Sequence, residues 1–188
     1  MKDWKILFLF LAVSLFGFTS CENDDADEYA GWRRENNAYI DSIATVVRNS
    51  TDGTWKRFLE TGLDKSKEWG NEHYVYCKVL ESGDGTEHPA STDYVSINYR
   101  GSLKNGYIFD GSYNGELEPE FDVPATLHLS EMIEGFSLAI QQMADGDRWC
   151  IYIPYRLAYG VHAQSGIPPY STLIFDVDLV SFYSESIY

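Results

Sequence analysis

The chain has few basic residues, few cysteines and few histidines, and each shortage excludes a class of function. Its 188 residues include 14 Lys and Arg against 29 Asp and Glu, a formal net charge of −15 at pH 7. Nucleic acid is therefore excluded as a partner, because proteins neutralise phosphate backbones with Lys and Arg. The 3 cysteines and 4 histidines are scattered without metal-ligand spacing, so we expect no metal site.

Long hydrophobic runs are also scarce, and the one present lies at the amino terminus. Lys2 and Lys5 precede an almost unbroken apolar stretch from Ile6 to Phe18. This stretch is short for a membrane-spanning helix. Its basic start and the small residues that follow are typical of a secretory signal, so we predict a signal peptide at residues 1–20.

The segment Phe18-Thr19-Ser20-Cys21 resembles the lipobox of bacterial lipoproteins. The resemblance implies lipidation of Cys21 and a membrane anchor outside the cytoplasm, facing the periplasm or the cell surface, with the outer membrane favoured. An ordinary signal peptide followed by a chance cysteine is the alternative. Residues 21–28 are strongly acidic and are predicted to form a tether, which either resembles the start of surface-exposed lipoproteins or is a plain solvated spacer.

Residues 29–72 are predicted to form a helical extension. From Tyr29 to Asn49, apolar side chains recur at steps of three and four, which is typical of an amphipathic helix. Thr54 to Leu63 is interpreted as a second, short helix. We expect the apolar stripe of the first helix to dock on the protein's own core.

From about residue 73 the pattern changes to short strands. Strands are predicted at His73–Leu80, Asp93–Gly101, Tyr107–Asp110, Thr126–Leu129, Arg148–Pro154 and Thr172–Phe182. One helix is predicted from Glu134 to Ala144, because Phe136, Ile140 and Met143 recur at helical spacing. Many short antiparallel strands with one helix indicate an α+β domain.

Cys77 and Cys150 are predicted to remain unpaired. Successive residues of a strand point to opposite faces. Cys77 shares a face with Val75 and Val79, whereas Cys150 lies opposite the face that carries Trp149. One thiol should therefore point inward and the other outward, which disfavours a disulfide.

Five short sequence motifs follow one another in a characteristic order. They are Ile97-Asn98-Tyr99-Arg100-Gly101, Asn105-Gly106-Tyr107-Ile108-Phe109-Asp110, Met132-Ile133-Glu134-Gly135-Phe136, Ile153-Pro154-Tyr155-Arg156-Leu157-Ala158-Tyr159-Gly160, and the run from Gly166 to Val177. In this order they resemble the FKBP family of peptidyl-prolyl cis-trans isomerases, across residues 74–182. The resemblance implies a bent antiparallel sheet of about five strands wrapped around one short helix, at residues 73–188.

The resemblance also implies a pocket. Its catalytic positions would be Tyr99, Phe109, Asp110, Ile133 and Tyr159. Its substrate-binding positions would be Leu127, Met132, Phe136, Ala158, Ile167 and Phe175. In the family, the backbone N–H at the position of Ile133 and the hydroxyl at that of Tyr159 hold a substrate carbonyl, and Asp110 would tune the field beside it.

The activity that the family performs needs no cofactor. An X–Pro bond isomerises slowly because twisting breaks amide conjugation, a barrier of roughly 18–20 kcal/mol. An apolar pocket favours the twisted amide, which has lost charge separation, over the planar one. The resemblance therefore implies an isomerase that assists the folding of exported, proline-containing polypeptides.

Several features depart from the family pattern and leave alternatives open. Phe136 stands where Trp is common, and the loop from Gly111 to Ala125 is long and acidic, with no Lys or Arg to pair with Asp110. A binding or chaperone module with little turnover is the second hypothesis, and an adhesion or structural lipoprotein is the third. Periplasmic members often dimerise through an N-terminal helical segment, so a homodimer is the alternative to self-docking.

Overall fold

The computed structural model describes residues 28–113, 115–118 and 121–184. The predicted signal peptide, the lipidated Cys21 and nearly all of the acidic tether lie outside the described residues and remain predictions. Across the ranges that are described, no helix combines the length and the apolar character needed to cross a bilayer.

Within these described residues, two α-helices and seven strands form the fold. They are α1 (Ala30–Asn49), β1 (Trp55–Leu59), β2 (Tyr74–Glu81), β3 (Asp93–Leu103), β4 (Ile108–Gly111), β5 (Ala125–His128), α2 (Glu134–Ile140), β6 (Arg148–Ile153) and β7 (Leu173–Ser184). All strands pair antiparallel in the order β1-β2-β6-β7-β3-β4, and β5 pairs with β3. The expected α+β class with a short helix against an antiparallel sheet is confirmed, although the sheet has seven strands where about five were expected.

The main core lies between one face of the sheet and α2. Phe136, Ala139 and Ile140 of α2 are buried against inward-facing side chains such as Trp149 and Val177. Register shifts interrupt β2, β3 and the pairing of β3 with β4. Such bulges bend and twist a strand, which lets a single sheet curve around the helix.

Helix α2 is shorter than predicted, because the α-helix ends at Ile140. Beyond it the backbone tightens into bonds between residues three apart: Gln142 N–H donates to the carbonyl of Ala139 and Met143 N–H to that of Ile140, each at 3.0 Å. Met143 remains fully buried. Met143 is thus buried at helical spacing although it lies beyond the α-helix. The spacing of apolar residues in the sequence therefore predicted a helix that is too long.

The predicted second helix at Thr54–Leu63 is wrong. Its first half is strand β1, which pairs with β2 in the register Trp55↔Lys78 to Leu59↔Tyr74. Without β1 the edge of β2 would expose unpaired backbone N–H and C=O groups. Aromatic residues such as Trp55 and Phe58 suit a strand as well as a helix, so the available edge decided between the two.

Helix α1 packs on the opposite face of the sheet from α2. Its buried residues Ile40, Ile43 and Ala44 contact Tyr74 and Tyr76 of β2. The expectation that the apolar stripe docks on the protein's own core is therefore confirmed. A homodimer through α1 would have to use the outer side of the helix, and it stays a prediction.

The two cysteines of the sheet face opposite ways, as predicted. Cys77 is buried, Cys150 is half-buried, and both thiols are free. Lys78 pairs with Cys150 and Cys77 with Ile151, so neighbouring strands place the thiols on different faces.

Candidate functional site

A cavity of about 240 Å³ opens between the sheet and the start of α2. The residues that line it are Tyr99, Phe109, Asp110, Leu127, Glu131, Met132, Ile133, Phe136, Tyr159 and Phe175. They come from β3, β4, β5, α2, β7 and the connections between them. Nine of the eleven positions predicted from the sequence therefore meet around one cavity.

Three phenylalanines form the aromatic part of the cavity. The ring centroid of Phe175 lies 5.6 Å from that of Phe109 and 5.0 Å from that of Phe136, both in edge-on geometry. Aromatic rings prefer such edge-to-face contacts. Phe136 is only 3% exposed, so its ring closes the bottom of the cavity and leaves a rigid apolar floor.

A glycine on β3 allows these rings to approach the sheet. A Cβ at Gly101 would lie 2.6 Å from Cε2 of Phe109 and 2.9 Å from Cε1 of Phe175. Gly101 pairs with both Asp110 of β4 and Phe175 of β7. Only a residue without a side chain leaves room for two rings above this point of the sheet.

Asp110 is held by partners that the sequence pattern did not reveal. The hydroxyl of Tyr99 donates to Oδ2 of Asp110 at 2.8 Å, and the backbone N–H of Gly111 donates to Oδ1 at 2.9 Å. Burial and this hydrogen bond to the carboxylate raise the pKa of Tyr99. The phenol therefore stays protonated and keeps the carboxylate pointing along the cavity wall.

Two groups at the cavity suit a substrate carbonyl. Ile133 is the N-cap residue of α2, and its backbone N–H donates no hydrogen bond to the described part of the chain. Tyr159 is 37% exposed and lines the cavity. A free N–H and a solvent-accessible hydroxyl are both donors, and a carbonyl that enters the cavity needs donors of this kind.

Two predicted positions support the cavity without lining it. Ile167 is a core residue with 5% exposure, and Ala158 packs against the same core. Ile167 exchanges two backbone hydrogen bonds of 2.9 Å with Gln164, which closes the turn of the loop that carries Tyr159. These residues therefore shape the loop behind the cavity.

Glu131 lines the cavity but was missed from the sequence. It directly precedes Met132 and Ile133, both of which were predicted, so adjacency was the available signal. Glu131 lies just outside the motif that begins at Met132, so the motif itself did not indicate it. Among the described residues that line the cavity, Asp110 and Glu131 carry the only charges, and both are negative.

The described residues contain no group of three or more His, Cys, Asp or Glu side chains placed to hold a metal ion. The described lining residues include no Ser, Thr, Cys, Lys or His, five of the residue types that serve as nucleophiles in covalent catalysis. The arrangement instead offers an apolar floor, one anchored carboxylate and two hydrogen-bond donors.

Comparison with known proteins agrees with this geometry. The sequence profile of the family described as FKBP-type peptidyl-prolyl cis-trans isomerase matches residues 85–180. A macrophage infectivity potentiator of Trypanosoma cruzi is 45% identical over 103 residues, which cover 54% of this chain and 50% of that protein. The peptidyl-prolyl cis-trans isomerase Mip of Coxiella burnetii is 42% identical over 106 residues, 55% of this chain and 43% of that protein.

Solved structures show the same fold. The crystal structure of FkpA from Escherichia coli matches with a TM-score of 0.62 and 26% identity, over 85% of this chain and 64% of that one. An isomerase structure from Pseudomonas syringae matches with a TM-score of 0.56 and 25% identity, over 79% of this chain and 96% of that one. The chain spans about half the length of the curated relatives it matches. Because the family profile covers just over half of the sequence, the chain belongs to the FKBP-type peptidyl-prolyl cis-trans isomerase family.

Proposed function

We propose that this protein is a peptidyl-prolyl cis-trans isomerase that assists the folding of exported polypeptides. One observation carries the proposal: nine positions predicted from the family pattern converge on a single apolar cavity with an anchored carboxylate. Isomerisation of an X–Pro bond breaks no covalent bond, so catalysis requires only an environment that favours the twisted amide. The apolar cavity supplies this environment.

The proposed mechanism places the proline ring on the aromatic floor of Phe136 and Phe175. In the twisted amide the nitrogen and carbonyl are no longer conjugated, so the carbonyl carries less negative charge than in the planar form. An apolar site destabilises the planar, charge-separated amide more than the twisted one and thus lowers the barrier. The N–H of Ile133 and the hydroxyl of Tyr159 would hold a flanking carbonyl, and Asp110 would act on the twisting bond electrostatically.

The second hypothesis, a binding module with little turnover, is not favoured. It would gain support if the acidic loop between β4 and β5 filled the cavity. None of the described residues of that loop, from Ser112 to Pro124, lines the cavity. The described part of the loop therefore leaves the cavity open to a substrate, despite the length and charge of the loop.

The decisive experiment measures isomerisation of a short X–Pro peptide by residues 22–188, which retain every described residue. A double variant, Asp110→Ala with Tyr159→Phe, is expected to lose at least about tenfold in kcat/KM, or ~1.4 kcal/mol of transition-state stabilisation. The matched control is Asp84→Ala with Tyr183→Phe, two exposed positions away from the cavity, which should keep wild-type activity. A folded protein without acceleration across several residues before proline would disprove the proposal.

We further propose that Cys21 anchors the protein by lipid on the outer side of the cytoplasmic membrane or on the outer membrane. The lipobox-like sequence supports this, and a relative 35% identical over 105 residues is named outer membrane protein MIP of Legionella longbeachae. Labelled palmitate should enter the wild-type chain and not the Cys21→Ser variant. Label in both, or in neither while the protein is still exported, would reject lipidation at Cys21.

A further inference from the structure

The first two turns of α1 contact two segments of the chain that lead into strands of the cavity. Four residues of these turns, Trp32, Arg33, Glu35 and Asn36, are here called the brace. The brace touches two parts of the chain: the hairpin at residues 104–107, which leads into β4, and the segment at residues 167–172, which leads into β7. Both β4 and β7 carry cavity residues.

Asn36 is the central contact of the brace. It is fully buried, and its Oδ1 accepts a hydrogen bond of 2.8 Å from the backbone N–H of Thr172. Its Nδ2 donates to the carbonyl of Trp32 at 2.8 Å. A buried amide is unfavourable unless it is hydrogen-bonded, and packing alone would be served better by an apolar residue. The side chain at position 36 is therefore explained by its bond to the segment before β7.

Trp32 and Arg33 hold the same segment at two further points. The indole N–H of Trp32 donates to Oγ of Ser171 at 3.0 Å. The guanidinium of Arg33 lies 5.0 Å from the ring centroid of Tyr170. Tyr170 has a φ of 61°, the one positive value among the described non-glycine residues. Such a conformation persists only where its surroundings determine it, and the brace supplies part of those surroundings.

Glu35 and Trp32 hold the hairpin. Nζ of Lys104 lies 2.6 Å from Oε2 of Glu35 and 5.0 Å from the ring centroid of Trp32. Tyr107 of the hairpin in turn packs over Gly166, where a Cβ would lie 2.9 Å from its hydroxyl. The hairpin and the loop before β7 are therefore in contact with each other as well as with α1.

A short path of hydrogen bonds connects the brace with Tyr159 of the cavity. Asn36 bonds Thr172, and two residues earlier the N–H of Tyr170 donates to the carbonyl of Gly160 at 2.9 Å. Gly160 directly follows Tyr159. On the other side, Phe175 of the cavity floor lies three residues after Thr172.

We propose that the brace positions the pocket, with Asn36 as a positioning residue, so that the N-terminal extension belongs to the catalytic unit. This inference rests on the proposed isomerase function for its kinetic part. Its structural part, that α1 restrains residues 158–172, is independent of turnover.

A purely structural role for Asn36 predicts a different result from a positioning role. If Asn36 only adds stability, its loss should act like the loss of any buried residue of α1. Ile43 provides the comparison, because it lies seven residues later on the same helix and packs on Tyr74 and Tyr76 without a bond to the loop.

The test compares Asn36→Ala, Trp32→Phe and Ile43→Ala in residues 22–188, at a temperature where circular dichroism shows each variant folded. We expect Asn36→Ala to lower kcat/KM on an X–Pro peptide by about tenfold, mostly through kcat, and Ile43→Ala to stay within about twofold of wild type. Trp32→Phe keeps an aromatic ring at this position but loses the indole N–H that donates to Ser171, so a smaller loss than for Asn36→Ala is expected. This variant carries the test if Asn36→Ala fails to fold.

Hydrogen exchange supplies the second readout. The amides of Tyr170 and Thr172 should exchange at least about tenfold faster in Asn36→Ala and unchanged in Ile43→Ala. Unaltered exchange in both brace variants, or equal effects of Asn36→Ala and Ile43→Ala, would overturn the inference. If the wild-type protein shows no turnover, the isomerase proposal fails, and the exchange rates still decide whether the brace holds the loop.

Discussion

At the scale of single residues, the shape of the cavity depends on a missing side chain as much as on the aromatic ones. Gly101 sits beneath Phe109 and Phe175, and both rings occupy space that a methyl group would take. The sheet brings this glycine beside Asp110 as well. The position thus links the packing of the core to the geometry of the cavity.

Gly101→Ala is therefore expected to disturb both stability and activity. The added methyl group must push two packed rings, and overpacking of this kind typically costs about 1–3 kcal/mol. We expect a fall of that size in the free energy of unfolding by urea, and a loss of about tenfold in kcat/KM. Gly31→Ala is the control: Gly31 lies in the first turn of α1 with open space around it, so the free energy of unfolding should stay the same or rise by up to about 0.5 kcal/mol. Wild-type activity in Gly101→Ala would contradict this account.

At the scale of secondary-structure elements, a partly buried ionic cluster connects the end of β1 to the turn before the Tyr159 loop. Nε of Arg156 lies 3.0 Å from Oε2 of Glu60, and Nδ1 of His73 lies 2.6 Å from the same oxygen. Burial alone would raise the pKa of Glu60, but the hydrogen bonds from Arg156 and His73 outweigh it and the pKa is lowered. The extension is therefore joined to the domain through charge as well as through β-pairing.

The lowered pKa of Glu60 gives the cluster a defined pH dependence. A carboxyl with a depressed pKa stabilises the fold above its unfolded value near 4.5, and the contribution is lost as the pH falls through the folded value. Glu60→Gln should thus cost roughly 1–2 kcal/mol in urea unfolding at pH 7, and less as the pH approaches 3.

Glu68→Gln is the matched control for this element. Glu68 pairs with Arg57 at 3.6 Å with 83% side-chain exposure, so its loss should cost less than about 0.5 kcal/mol at every pH. An equal effect of the two substitutions at pH 7, or a Glu60→Gln cost that is constant with pH, would refute the role assigned to the cluster.

At the scale of the whole molecule, burial of phenols links the stability of the fold to alkaline pH. Burial raises the pKa of Tyr39, Tyr76, Tyr99 and Tyr152, and it raises the pKa of Tyr113 to about 12. These residues come from α1, from three strands and from the loop after β4, so their ionisation is resisted by the structure as a whole.

The fold should therefore lose stability above about pH 10. A group whose pKa is raised stabilises the folded state below its unfolded pKa, and this contribution disappears as the pH rises towards the folded value. Above pH 10 each of these phenols ionises in the unfolded chain but stays protonated in the folded one. Each therefore lowers the free energy of unfolding by up to about 1.4 kcal/mol per pH unit. Urea midpoints at pH 8 and pH 11 measure this loss of stability. Tyr76→Phe should reduce the pH dependence of the free energy of unfolding by the equivalent of about one proton. Equal midpoints at both pH values would contradict the prediction.

Cys77 offers a probe of global opening. It is fully buried on β2 between the two helical layers, and burial raises the pKa of its thiol. Burial raises the pKa of the Cys150 thiol as well, but Cys150 is only half-buried, so a thiol reagent at pH 8 should modify it faster than Cys77, which should react only at the rate of global unfolding. The number of modified thiols in Cys150→Ser of residues 22–188, where Cys77 is the only cysteine, measures this. Fast modification of Cys77 in that variant would show that β2 opens locally.

The sequence by itself determined most of the secondary-structure elements and, through the family resemblance, most of the cavity. Alternation of apolar residues predicted the strands that carry Tyr99 and Phe175, because a strand has a period of two whatever its partners. The same period assigned Cys77 and Cys150 to opposite faces. The resemblance to the FKBP family, carried by the five ordered motifs, implied nine of the ten described residues that line the cavity; eight of the nine lie within those motifs.

The tertiary structure alone decided the rest, because those outcomes depend on contacts between distant segments. Residues 55–59 became a strand because the edge of β2 was free to pair, which no local preference shows. Tyr99, eleven residues away in sequence, became the partner of Asp110 only when β3 and β4 aligned. The apolar stripe of α1 predicted that the helix docks on the core, but the bond from Asn36 to Thr172 spans 136 positions and became evident only in the folded chain.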